Sequence, residues 1–125
     1  KLGVDPLVEQ IVRAAFPGAT WRSSYDADPA LRCRAGERWR WDGVEFQWMH
    51  PDEHAYATPG LSTNALSCVL RVAAGKQVAW LAGDIPADQE VRLALARPHE
   101  RATLLLAPHH GSATSSSPVL LNTLQ

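Results

Sequence analysis

Two short apolar runs, separated by one helical pattern, constrain the fold of this chain most strongly. Residues 78–82 and 103–107 are almost wholly apolar, which is typical of strands that are buried on both faces of a sheet. Residues 86–97 between them predict a helix that ends before Pro98. This order of elements predicts an α/β fold in which helices are layered on a sheet.

An amphipathic helix is predicted near the amino terminus. Asp5 is a suitable N-cap before Pro6 at the first helical position, and Pro17-Gly18 ends the helix. We expect its apolar stripe to cover a sheet or a core. The stripe consists of Val4, Leu7, Val8, Ile11, Val12, Ala15 and Phe16.

A tight β-hairpin is predicted at Asp42-Gly43. Pairing Trp41 with Val44 puts Trp39 opposite Phe46. One face of the hairpin then carries Trp39, Trp41, Val44, Phe46 and Trp48, and the other carries Arg38, Arg40, Glu45 and Gln47. Three tryptophans could stack on bases or sugars, but their position beside Val and Phe favours a buried sheet face.

The remaining chain predicts a loop, a strand and one more helix. Residues 51–62 are rich in Pro, Gly and polar residues and predict the loop. Residues 66–73 predict a strand that turns at Gly75-Lys76 into the first apolar run. Residues 118–124 predict the start of a helix with Ser117 as its N-cap.

Length and charge bound the kind of protein. The 125 residues suit one domain or part of one. The net charge of −1 argues against a nucleic-acid clamp that binds by charge alone. No apolar stretch approaches the roughly 20 residues that span a bilayer, and charged residues in the first helix argue against a signal peptide. The chain begins without Met, so we expect a piece of a longer protein, and a targeting or membrane segment could lie outside it.

Two cysteines, Cys33 and Cys68, allow one disulfide but do not require it. No Cys/His spacing typical of a zinc finger is present. Two buried small apolar side chains are the favoured interpretation.

Metal-competent side chains follow both apolar runs. Asp84 follows the first run, and His109-His110 follows the second. Sites of layered α/β folds commonly lie at the carboxyl ends of strands, and carboxylate with imidazole suits Zn²⁺, Mn²⁺ or Fe. As alternatives, Asp84 could cap a helix and the histidines could be surface residues. Adjacent residues of an extended chain point in opposite directions, so at most one histidine should ligate easily.

A serine-rich stretch follows the histidines. Its hydroxyls and backbone N–H groups could bind phosphate oxygens at the start of the next helix, or they could serve as cap and turn residues, which is the favoured interpretation. The stretch contains Ser112, Thr114, Ser115, Ser116 and Ser117. His50 and His54 lack a partner at ligand spacing and are interpreted as structural or exposed.

The whole pattern resembles a known family. It reads Asn64-x-x-Ser67-x-Val69-Leu70, then Leu81-x-Gly83-Asp84-Ile85, then Glu90, then Leu106-x-Pro108-His109-His110-Gly111-Ser112-x-Thr114-Ser115-Ser116-Ser117. It is similar to the metallo-β-lactamase-like carboxy-terminal domain of the DNA-internalisation competence (ComEC) family, over about residues 36–118.

The resemblance implies an αββα sandwich with a Zn or Mn site, dinuclear in the intact domain. Asp84 would bridge two metals, and His109 or His110, with His110 favoured, would be a terminal ligand. Asn64, Ser112, Ser115 and Ser116 would bind substrate. The implied activity is metal-dependent hydrolysis of the DNA strand that is not imported. The implied setting is the outer face of the bacterial inner membrane, beside the parent protein's membrane channel domain.

One departure from the family pattern is large. The motif His-x-His-x-Asp-His, which holds most metal ligands in the superfamily, is absent and is expected upstream of Lys1. Residues 1–125 are therefore interpreted as one partial domain, truncated at both ends, that is poorly metallated and inactive alone. A surface uncovered in this way could drive oligomerisation. The alternatives are a hydrolase of small phosphoesters, lactones or thioesters, and a non-catalytic scaffold.

Overall fold

One five-stranded sheet organises the chain. The computed structural model describes residues 6–26 and 28–125. Its elements are α1 (Pro6–Ala15), β1 (Arg38–Trp41), β2 (Val44–His50), α2 (Glu53–Ala57), β3 (Val69–Ala74), β4 (Gln77–Leu81), α3 (Ala87–Ala96), β5 (Leu104–Leu106) and α4 (Pro118–Thr123).

The strands lie in the order β1-β2-β3-β4-β5. The first four are joined by antiparallel pairing, whereas β5 runs parallel to β4 because α3 carries the chain back between them. The predicted hairpin is confirmed with its register, since Trp41 pairs with Val44 and Trp39 with Phe46. The prediction of an α/β fold with helices on a sheet is also confirmed.

The main core lies between one face of the sheet and the helices α3 and α4. Trp80 of β4 is 1% exposed at its centre, and Ile85 and Leu120 are fully buried around it. Ser117 caps α4 as predicted, because its hydroxyl accepts a hydrogen bond from the Leu120 N–H. This packing fixes the carboxyl end of β4 against the two helices.

The opposite face of the sheet is apolar but partly uncovered. Leu81, Leu104 and Leu106 share this face by register, and the two β5 leucines are 61% and 58% exposed. The expectation of strands buried on both faces is therefore wrong for β5 and for the end of β4, where Leu81 is 38% exposed. Within residues 6–26 and 28–125 the two β5 leucines remain largely uncovered, so an apolar strand is half exposed here.

The first helix has the predicted range but not the predicted contact. It begins at Pro6 and ends before Pro17, yet Leu7, Ile11 and Phe16 of its stripe are each about 60% exposed. The expectation that α1 covers a core is therefore wrong for this part of the chain. The predicted roles of Val4 and Asp5 lie outside the described residues.

Two segments before β4 differ from the sequence prediction because of hydrogen bonds within each segment. The predicted loop 51–62 contains α2, because the Asp52 carboxylate accepts a hydrogen bond from the Ala55 N–H at 2.7 Å and caps it. The predicted strand 66–73 begins only at Val69, because Asn64–Leu66 forms a 3₁₀ turn.

Cys33 and Cys68 form a disulfide, 35 residues apart in sequence. The interpretation as two unpaired apolar side chains is therefore wrong, although Cys33 is fully buried. The bond fastens the segment before β1 to the segment before β3. This second segment carries Ser67, which lies beside the candidate site.

Candidate metal site

Asp84 is placed by a sharp turn after β4. Gly83 has a φ of +57°, and a Cβ built on it would lie 3.1 Å from both the Cys68 carbonyl oxygen and the Ser67 Cβ. The Asp84 N–H donates to the Ser67 Oγ at 3.3 Å. The close approach of two backbone segments therefore requires glycine at this turn and orients the carboxylate that follows it.

The histidine loop is not extended, contrary to the prediction. Pro108–Gly111 forms a tight turn in which His109 and His110 have φ values of 49° and 55°. Left-handed backbone is uncommon for residues other than glycine, and here the His109 N–H donates to the Gly83 carbonyl at 2.9 Å. This hydrogen bond ties the histidine loop to the turn that carries Asp84.

The two imidazoles meet different neighbours. His110 Nε2 lies 3.6 Å from Asp84 Oδ1, and its side chain is 89% exposed. His109 Nε2 lies 3.4 Å from Asn64 Nδ2, and its Nδ1 lies 3.4 Å from Thr114 Oγ1. His110 is therefore the histidine with a ring nitrogen at Asp84, whereas polar side chains flank both ring nitrogens of His109.

The distance between His110 and Asp84 fits two ligands of one cation. Two ligand atoms that each lie about 2.1 Å from a tetrahedral ion are roughly 3.4 Å apart. Carboxylate oxygen and imidazole nitrogen are donors that suit Zn²⁺ or Mn²⁺. Residues 6–26 and 28–125 contain no group of three or more His, Cys, Asp or Glu side chains that could hold a metal, so the donors present form at most part of a site.

The serine stretch is largely used for its own structure. The Ser115 hydroxyl donates to the carbonyls of Pro108 and Ser112. The N–H groups of Ser116 and Ser117 donate to the carboxylate of Glu90 at 2.7 and 2.5 Å. Ser112 and Asn64 lie nearer the histidines: the Ser112 Oγ is 3.1 Å from the Thr114 Oγ1, and Asn64 contacts His109.

Glu90 belongs to the family pattern, but the sequence did not predict that its carboxylate would hold the serine stretch. It is fully buried in α3. The sequence does carry a signal, because Glu90 precedes the buried residues Leu93 and Ala94 by three and four positions and so lies on the apolar face of an amphipathic helix. A charged side chain on that face needs a specific partner.

His50 is structural, in agreement with its interpretation. Its buried ring lies with Nε2 2.8 Å from the Ala65 carbonyl, within the 3₁₀ turn that carries Asn64. Burial is the largest effect on its pKa and lowers it below the usual 6.5, despite the opposing hydrogen bond to Ala65 and the charge of Asp52. Neutral His50 donates to that carbonyl and so supports the Asn64 side of the site.

Acidification is expected to destabilise the fold through His50. Because the pKa is lowered in the folded state, the unfolded chain binds more protons below about pH 6.5. The free energy of unfolding should therefore decrease as the pH falls from about 7 to about 5, as measured by urea denaturation. His50→Gln, which can donate but does not titrate, should flatten this pH dependence. An equal slope in both proteins would contradict the role of His50.

Gly83→Ala is expected to destabilise the fold more than Gly75→Ala. Both glycines have left-handed backbone, with φ values of +57° and +59°, but a Cβ at Gly75 meets nothing within 4 Å. The backbone penalty of about 1–2 kcal/mol is common to both, and overpacking at Gly83 should add about 1 kcal/mol or more. Denaturant unfolding of the two variants measures the difference, and equal losses would contradict the close approach at Gly83.

The chain is similar to proteins named for competence and for recombination. It is 39% identical over 89 residues to Competence protein ComA of Neisseria gonorrhoeae, covering 70% of the chain and 12% of that protein. It is 37% identical over 101 residues to Recombination protein 2 of Haemophilus influenzae, covering 81% of the chain and 12% of that protein. It is also 40% identical over 87 residues to Uncharacterized protein YcaI of Escherichia coli, covering 68% of the chain and 11% of that protein.

The similarity covers a small part of each relative. The chain spans about 12% of the length of the curated relatives that it matches. No protein-family model matches the chain, and no solved structure matches it significantly. No helix in residues 6–26 and 28–125 is long and apolar enough to cross a membrane. The chain is thus homologous to a short segment of much longer proteins, among them one named for competence and one named for recombination.

Proposed function

We propose that this chain is part of a metal-dependent hydrolase domain in a competence protein of the DNA-uptake machinery. The domain would cleave phosphodiester bonds in the DNA strand that is not imported. The observation that carries the proposal is the convergence of Asp84 and His110, whose side chains lie 3.6 Å apart. The similarity to Competence protein ComA supports the setting in which this chemistry would act.

The position of the pair supports a catalytic site. Asp84 and His110 follow β4 and β5, which are neighbouring parallel strands. In α/β sheets the crevice at the carboxyl ends of the strands is the usual place for ligands. Both side chains are accessible, at 41% and 89% exposure, so a cation and a substrate could reach them from solvent.

The uncovered apolar face supports an αββα sandwich completed by chain outside these residues. A sheet that is apolar on both faces requires a layer on each. Leu104 and Leu106 lie on the face that lacks such a layer in the described part of the chain. We propose that a second sheet from upstream covers this face and brings the missing metal ligands, so that the whole site is dinuclear.

The side chains at hand have separable tasks. Asp84 and His110 would hold the metal, as bridging carboxylate and terminal imidazole. A bound divalent cation supplies Lewis-acid polarisation of a phosphoryl oxygen and activation of water. His109 is oriented by Asn64 and Thr114. We propose that Asn64, Ser112, Ser115 and Ser116 bind substrate through their side chains. The Ser112 hydroxyl lies 3.1 Å from the Thr114 Oγ1, and it could turn towards a phosphate oxygen because a hydroxyl rotates about its C–O bond.

The disulfide supports a location outside the cytoplasm. Structural disulfides persist in oxidising compartments and are rare in the cytosol. The bond between Cys33 and Cys68 therefore fits the outer face of the bacterial inner membrane, where the domain would meet incoming DNA. Single-stranded DNA and the parent protein's membrane channel domain are the proposed partners.

The direct test is metal-dependent cleavage by the chain extended upstream to include the predicted His-x-His-x-Asp-His segment. Single-stranded DNA, a small phosphodiester and a lactone would be offered with Mn²⁺ or Zn²⁺. Cleavage of DNA in preference to the small substrates supports the proposal. If a small substrate is cleaved faster than DNA, the proposal that DNA is the substrate is wrong. If a folded, metal-loaded domain cleaves none of them, the proposal of an enzyme is wrong and a non-catalytic scaffold is favoured.

A further inference from the structure

Glu90 joins α3 to the loop after the histidines. Its carboxylate is fully buried. One oxygen accepts the Ser116 N–H at 2.7 Å and the other accepts the Ser117 N–H at 2.5 Å. Both donors lie 26 or 27 residues from Glu90 in sequence, so these hydrogen bonds are tertiary links. A buried carboxylate held by backbone N–H groups makes strong, charge-assisted hydrogen bonds.

Two further hydrogen bonds connect the neighbouring segments, one between the same loop and the start of α3 and one between the histidine loop and the turn that carries Asp84. The Ala87 N–H donates to the Thr114 carbonyl at 3.0 Å, and the His109 N–H donates to the Gly83 carbonyl at 2.9 Å. Glu90 lies one helical turn after Ala87 on α3. Residues 112–117 are therefore attached to α3 at Ala87 and at Glu90, and the histidines that precede them are attached to the Asp84 turn at Gly83. Among these attachments, the one at Glu90 is made by a side chain.

We propose that Glu90 is the positioning residue of the candidate site. Its carboxylate acts as an internal anion that fixes residues 112–117 against the start of α3 and so sets the approach of His110 to Asp84. Amides that converge on one anion form a nest of the kind that binds phosphate. Because Glu90 fills this nest from within, the Ser116 and Ser117 amides are not offered to substrate. This role of Glu90 concerns the geometry of the site and does not depend on the proposed hydrolysis.

Glu90→Ala in the full chain tests the inference, with amide hydrogen exchange and backbone NMR shifts as the readouts. Exchange at Ser116 and Ser117 should become about 10- to 100-fold faster, because each amide loses a charge-assisted hydrogen bond. The amide shifts of Asp84 and His110 should change together with them. Added formate should reverse both effects, since it can place a carboxylate in the vacated space. A side chain that only fills volume would not be replaced by an anion in this way.

Gln89→Ala is the matched control. Gln89 is also buried in the first turn of α3, but its side chain forms hydrogen bonds with Asp88 and Arg92 and not with residues 112–117. In Gln89→Ala, the changes in amide exchange and in backbone NMR shifts should be confined to residues near Asp88 and Arg92. Glu90→Gln preserves the shape and one acceptor oxygen, so it should weaken protection at one of the two serine amides even if the alanine variant fails to fold.

Three results would overturn the positioning role. The first is unchanged exchange at Ser116 and Ser117 in the Glu90 variants. The second is an equal disturbance of Asp84 and His110 by Gln89→Ala. The third is a folded Glu90→Ala variant that formate does not restore.

Discussion

Asp84→Ala in the upstream-extended chain is expected to lower metal-dependent hydrolysis by about 1000-fold or more. The side chain is the proposed bridging ligand, and a metal contributes several kcal/mol of transition-state stabilisation, each 1.4 kcal/mol of which is a factor of ten. Initial rates at saturating metal and substrate measure the effect. The fold should be retained, because the Asp84 side chain is 41% exposed and its contact is with His110, which is 89% exposed.

Asp88→Ala is the control, because it removes a different carboxylate near the start of α3 and so shows whether the loss of activity is specific to Asp84. Asp88 accepts a hydrogen bond from Gln89 and has no contact with His110 among the described interactions. Its variant should hydrolyse at nearly the normal rate. Equal losses in the two variants, or full activity of Asp84→Ala, would remove Asp84 from the proposed metal site.

Among the variants considered, removal of the disulfide is expected to lower the free energy of unfolding the most. Chain entropy predicts about 4 kcal/mol for a cross-link that closes a loop of this length, given the sequence separation of 35 residues. The double variant Cys33→Ala with Cys68→Ala should therefore unfold at markedly lower denaturant. Urea titrations of the oxidised protein, the reduced protein and the double variant measure the loss.

The disulfide should also affect the site, because Cys68 adjoins Ser67. The Ser67 hydroxyl accepts the Asp84 N–H, and Gly83 packs against the Cys68 carbonyl. The Asp84 amide shift should therefore move when the bond is reduced, whereas the Asp42-Gly43 turn of the hairpin should not respond. Stability that is equal in the oxidised and reduced proteins would contradict the structural part assigned to this bond.

Local chemistry explains which elements could be predicted from sequence. The Asp42-Gly43 turn specifies a hairpin and its register, because a two-residue connection leaves one pairing for Trp41 and Val44. Ser117 before Pro118 marks the start of α4, since a hydroxyl cap and a proline in the first turn are both local signals. The two apolar runs likewise bring Asp84 and the histidines to one edge, as the parallel pairing of β4 and β5 confirms.

The errors depend on partners that the sequence does not reveal. The exposure of Leu104 depends on a second layer, which the described chain does not provide, and the pairing of Cys33 with Cys68 depends on their meeting in space. The left-handed backbone of His109 and His110 was not predictable, because this conformation is rare for histidine and is held here by a tertiary bond to Gly83. That bond holds the turn in which His110 lies near Asp84.

The proposed metal site makes Asp84 and His110 two ligands of one metal. Anomalous diffraction from crystals of the upstream-extended domain, grown with Mn²⁺, tests it most directly. We expect a peak about 2.0–2.2 Å from an Asp84 carboxylate oxygen and from the His110 Nε2, with further ligands from the upstream segment. A metal bound by other residues, or a peak that contacts His109 in place of His110, would contradict the proposed site.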